Sequence, residues 1–210
     1  NARRIWRWQL PRAEAWAQPW KLRHITYAAH GMQSLGIGEV PDVSGGPGGP
    51  GGQEFLIATE RVEGRVLVQG AGDAEMKLMI AGLDVDRSKG RLGGARRFDM
   101  DVSWRARPKP GEKQYRPLTF DLGIDDADLP KVWASPLGQR VSTMRLVGHV
   151  VGPWPGGALT QALTKWRNAG GTLEVSPFSI EHGPLKLHAE GTAALDVRLQ
   201  PQAAFTVRAE

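Results

Sequence analysis

Apolar and polar positions alternate with a period of two along most of this chain. Leu185, Leu187 and Ala189 alternate with Lys186, His188 and Glu190, and Ala193, Leu195, Val197 and Leu199 with Ala194, Asp196, Arg198 and Gln200. Phe205 and Val207 then alternate with Thr206 and Arg208. Each run predicts a strand with one face on a core and one in water. The pattern is clearest at Phe98, Met100, Val102 and Trp104, and again at Leu118, Phe120, Leu122 and Ile124. Met76, Leu78 and Ile80 open another strand that continues through LDVD. In 139–151, one bulge near Ser142 or Thr143 would align Val141, Met144, Leu146, Gly148 and Val150. Shorter runs cover 5–10, 13–17 and 22–28, and 55–59 with 62–69 read as a hairpin. Asp126 to Trp133 reads as a short helical turn with Asp126 as its N-cap.

One segment changes period. Leu159, Leu163 and Trp166 lie at i, i+4 and i+7, which predicts an amphipathic helix near 157–168. Pro153, Pro155, Gly156 and Gly157 precede it, and Gly170 or Gly171 supplies a left-handed C-cap. About ten strands and one helix, joined by short turns, predict a mainly β protein, α+β at most. The expected architecture is a large curved antiparallel meander, open or partly closed, with the helix docked on it.

The chain of 210 residues is long enough for one sizeable core and is read as a single β-rich domain over 1–210. Residues 44–53, SGGPGGPGGQ, form a flexible Gly/Pro loop within it. A linker is the other reading, but the first 43 residues would hardly bury a core of their own. The net charge of +5 comes from scattered basic residues rather than one face, which argues against nucleic acid as a partner. Contact with an anionic membrane surface is compatible with it. The absence of Cys removes disulfides, thiol catalysis and thiolate metal sites. No stretch reaches the length of an apolar membrane span.

Two stretches carry a likeness. The run W-x-N-A-G-G-T-L-E-V from Trp166 to Val175, with H-G-P-L-K-L-x-A-E-G-T-A-A-L-D from His182 to Asp196, resembles the C-terminal signature of the domain-of-unknown-function 2125 family. A-Q-P-W-K-L-R-H, from Ala17 to His24, is similar to that family's lead into its strands. The signature positions are Trp166, Gly170, Gly171, Gly183, Pro184, Gly191, Leu195 and Asp196. The resemblance implies an exported bacterial envelope protein in the periplasm, anchored to the inner membrane by a segment preceding Asn1. It brings no catalytic residue and no cofactor.

Candidate chemistry is thin. His24, His30, His149, His182 and His188 show no zinc spacing. Asp125, Asp126 and Asp128 lack the glycine and distal Glu of a calcium loop. Ser34 lacks a nucleophile elbow. Asp99 and Asp101 share a strand face, where a solvated sheet surface explains them better than an acid–base pair. No enzyme activity, metal or cofactor is therefore expected. Core packing explains most of the eight Trp, while Trp16 and Trp20 are candidates for stacking on a glycan. The main functional expectation is an apolar groove for a lipid or amphiphile. Its lining candidates are Met76, Leu78, Ile80, Phe98, Met100, Val102, Leu118, Phe120, Leu122, Leu146 and Val150. The alternatives are a scaffold with a filled core and a glycan-binding module.

Overall fold

The computed structural model describes residues 3–18, 21–40, 55–87, 90–108, 110–112, 114–130 and 135–210. The Gly/Pro loop at 44–53 and Trp20 lie outside them. The strands are β1 (Arg3–Gln9), β2 (Arg12–Gln18), β3 (Lys21–Val40), β4 (Phe55–Val68), β5 (Ala74–Arg87) and β6 (Gly90–Trp104). They continue with β7 (Leu118–Asp128), β8 (Arg140–Val151), β9 (Thr172–His182), β10 (Leu185–Leu195) and β11 (Pro201–Ala209). One helix, α1 (Leu159–Asn168), joins β8 to β9. All eleven strands form one antiparallel sheet in the order β1-β3-β4-β5-β6-β7-β8-β9-β10-β11, with β2 beside β3. The sheet is an open meander.

Among the described residues it forms a single layer: all strands belong to one sheet, and the elements in substantial contact are hydrogen-bonded neighbours. The accessible surface is 14224 Å², against roughly 9,600 Å² for a compact monomer of this mass. Few side chains are buried, and five of them lie along one line.

That line is a crease crossing β3 to β8. Register shifts between His30 and Gln33 on β3, and the pairing skips Glu60 on β4, Gly82 on β5, Arg96 on β6, Asp126 on β7 and Ser142 on β8. Gly82 and Asp126 take positive φ, +63 and +49. Across it the apolar positions are spaced by three instead of two: Ile80 to Leu83, Phe98 to Ala95, Ile124 to Ala127, Met144 to Val141. Because every strand slips together, apolar residues stay in register on both sides of it. Ala29, Gln33, Thr59, Ala95 and Val141 are buried beside it, whereas Glu60, Arg96 and Ser142 are exposed. Small side chains let the backbone bend there without a second layer.

Three expectations are corrected here. Residues 55–59 and 62–69 form one strand, β4, because the slip at Glu60 imitates the interruption of a turn. Asp126 to Asp128 end β7 instead of starting a helical turn, and Asp126 occupies the crease. Residues 193–200 are not a separate strand. Leu185 to Leu195 run on through Gly191 as β10, and Asp196 to Gln200 form the turn to β11, where Val197 is 83% exposed. In that turn Asp196 Oδ1 accepts the backbone N–H groups of Arg198 and Gln200, each at 2.8 Å. The bulge expected at Ser142 or Thr143 is present, as a register shift between Val141 and Thr143.

The helix spans Leu159 to Asn168, but its buried face differs from the expected one. Ala162 and Trp166 are buried, Leu163 is half-buried, and Leu159 is 68% exposed. The spacing i, i+4, i+7 identified the right face only at its C-terminal end. There the helix meets the strand ends, while its first turn projects beyond them. The Trp166 indole Nε1 donates to the Val151 carbonyl at 2.8 Å, and Arg167 Nη1 donates to the Asp196 carbonyl at 3.1 Å.

Candidate functional site: an uncovered apolar sheet face

The register aligns the alternating apolar residues into rows running across the strands. One row is Ala15, Tyr27, Gly64, Leu78, Met100, Leu122, Leu146, Phe178, Ala189 and Val207. A second is Ala29, Val62, Ile80, Phe98, Ile124, Met144, Ile180 and Leu187. A third is Ile25, Val66, Met76, Val102, Phe120, Gly148, Val175, Gly191 and Phe205. A fourth is Val68, Ala74, Trp104, Leu118, Val150, Leu173, Ala193 and Ala203. Paired residues point to the same side, so all four rows share one face.

The eleven lining candidates all fall in these rows. Nine strand-to-strand steps of about 4.8 Å make the stripe roughly 43 Å long, and four rows make it roughly 20 Å wide. That is roughly 900 Å², above the largest apolar patch usual on a soluble monomer, about 300–600 Å². The stripe residues on β5 to β7 are half-buried. Sequence reading missed Ile124, Met144, Phe178 and Ile180 as lining positions. The same alternation would have found Ile124 and also Met144, which is in phase with Leu146 and Val150.

The opposite face is charged, and its ionic groups neutralise one another within and across strands. Arg145 donates to Asp121 at 2.5 and 3.0 Å, and Lys77 bonds Asp101. Arg97 holds Asp99 at 2.6 Å, and Arg96 holds Asp126 at 2.8 Å. The hydrogen bond from Arg145 keeps the Asp121 carboxyl below the usual carboxylate range. The Asp125/Asp126/Asp128 cluster is thus explained by Arg96, Arg91 and Arg140, which pair with its members. No cluster of metal-ligating side chains occurs among the described residues. A cavity of about 760 Å³ also opens on this charged side, opposite Leu78 and Met100.

The signature residues are structural, and most of them gather near the α1 end of the sheet. Gly171 lies against the Trp166 ring, where a Cβ would stand 2.3 Å from the indole. Trp154 packs on Trp166 with centroids 6.2 Å apart. Gly170, at φ +75, ends the helix. Gly183, at φ +58, and Pro184 make the β9–β10 turn, at the other end of those strands. A Cβ on Gly191 would stand 2.5 Å from the Phe205 ring. Leu195 closes β10 and Asp196 organises the next turn. Nearby, Glu174 bonds His149 at 2.7 Å, Gln114 at 3.0 Å and Arg116 at 3.3 Å. The His149 bond, chiefly, holds the Glu174 carboxyl below its ordinary value. His182 is buried and bonds the Gly138 carbonyl at 2.8 Å.

The comparisons with known proteins agree with the residue-level likeness. A family described as "Uncharacterized protein conserved in bacteria (DUF2125)" matches residues 1–210. No curated protein and no solved structure matches the chain. No helix among the described residues is long and apolar enough to cross a membrane.

Proposed function

This chain belongs to the DUF2125 family of bacterial proteins, and on that premise we propose that it is a non-enzymatic envelope protein that holds the acyl chain of a lipid or amphiphile on its apolar sheet face. The observation that supports this reading is the four-row stripe, over which no second layer of the described residues lies. Apolar surface on this scale favours a partner that removes it from water. Each methylene fully buried contributes about 0.8 kcal/mol, so a chain of roughly fourteen methylenes half-covered by the face would gain about 5 kcal/mol before association costs. Periplasmic location and a membrane tether rest on the family resemblance; cell fractionation tests them.

The direct test is organic extraction of the purified protein followed by mass spectrometry. Recovery of a stoichiometric amphiphile is expected. Leu122→Asp, at the centre of the stripe, should abolish it. No recovered amphiphile, together with no uptake of a fluorescent fatty acid, would defeat the reading. A second reading, an interaction scaffold, has one observation in its favour: all nine residues of β11 are exposed, including Phe205 and Val207. A partner sheet adding there would show as a concentration-dependent mass in ultracentrifugation.

A further inference from the structure

We propose that the cavity on the charged face is a second binding site, independent of the apolar stripe, for a saccharide bearing an anionic group. Its volume of about 760 Å³ lies in the range of small-molecule sites. Its floor includes the small or apolar residues Ala28, Met79 and Gly123, and its walls are charged. That combination suits a sugar ring, which has apolar C–H faces and a polar hydroxyl edge.

Three features point to this class of ligand. Trp16 stands at one rim and is 49% exposed, so its ring is available as a stacking platform. The lining carboxylates Glu63, Asp99, Asp101 and Asp121 are each held by a cation, Arg61, Arg97, Lys77 and Arg145, which fixes them as acceptors for sugar hydroxyls. Arg65 also lines the cavity and makes no ion pair among the described residues. Trp16 pairs with Thr26 and Thr26 with Arg65, two strand steps, or about 10 Å, along one row. A ring on Trp16 therefore places a carboxylate or phosphate substituent within reach of the free guanidinium, whose fork matches either group.

Calorimetric titration tests this, with tri-galacturonate and glucose 6-phosphate as anionic probes. Maltotriose and inorganic phosphate are the controls. At least one anionic sugar should bind at least tenfold tighter than both controls. Arg65→Gln should erase the preference over maltotriose, and Trp16→Ala should weaken sugar binding at least tenfold. Both side chains are exposed, so circular dichroism of the variants should match the parent. Leu122→Asp should leave sugar binding unchanged, which separates this site from the acyl-chain reading. Failure of both anionic sugars to bind at millimolar concentration would overturn the proposal. So would phosphate binding as tightly as the sugars, or indifference to Trp16→Ala.

Discussion

Replacing Trp166 by Ala should release α1 while leaving the sheet intact. The indole is 5% exposed, donates to the Val151 carbonyl, lies on Gly171 and packs against Trp154. Losing a buried aromatic costs about 3–5 kcal/mol, and the lost hydrogen bond adds about 1 kcal/mol. Little else holds the helix, since Ala162 is its only other buried residue and Arg167 its other bond to the strand ends. A ten-residue helix is marginal by itself in water, so an undocked α1 should also unfold. Hydrogen exchange read by mass spectrometry should therefore show near-complete loss of protection across 159–168, with β6 to β8 unchanged. Gly171→Ala should act in the same direction, because its Cβ would occupy the position of the ring. Retained protection in both variants would refute the docking argument. A uniform loss over the whole sheet would refute the claim that the effect is local.

Other expectations follow from single residues. Glu174 has a depressed carboxyl pKa in the folded protein, so the stability it contributes is present above the ordinary value of 4.5 and is lost as pH falls through the folded one. Urea midpoints should drop on acidification below about pH 4.5, and Glu174→Gln should flatten that drop; an unchanged slope would contradict the pairing with His149. Gly82→Ala should destabilise by about 1–2 kcal/mol because its φ of +63 is strained for a residue with a Cβ. Gly123→Ala, on an extended strand with its nearest neighbour 3.8 Å from the new Cβ, should be neutral or slightly stabilising in the same urea titration. Equal effects at the two sites would mean that the crease carries no strain.

Much of the sheet was legible because period-two patterning fixes which face a residue takes. The strands at Phe98–Trp104 and Leu118–Ile124 were readable in side for this reason, although β6 begins at Gly90 and β7 runs on to Asp128, and the eleven lining candidates share a face. The errors fell where that period breaks. At Glu60 one skipped residue looked like a turn, and at Asp126 an acidic residue suited to a helix cap instead filled a positive-φ site in a strand. The runs 185–190 and 193–200 read as two strands, although β10 continues through Gly191, where a Cβ would meet the Ala204 carbonyl and the Phe205 ring. The slip was visible on β8, where the apolar spacing changes at Ser142, but not at Glu60 or Asp126, where the skipped residue imitates a turn or a cap. Leu159 was misjudged for a related reason. Helical spacing shows which face is apolar, but not how far along the helix its support extends. The charged cavity was illegible because Trp16 and Arg65 are far apart in sequence and meet only through the pairing of β2, β3 and β4.

Photocrosslinking with a palmitic acid analogue, mapped by peptide mass spectrometry, tests the account most directly. The label should concentrate on stripe residues of β5 to β8, at Leu78, Met100, Leu122 and Leu146, and an excess of unlabelled palmitate should compete it away. Label on the Lys77–Asp101–Asp121–Arg145 face, or labelling that palmitate does not reduce, would contradict it.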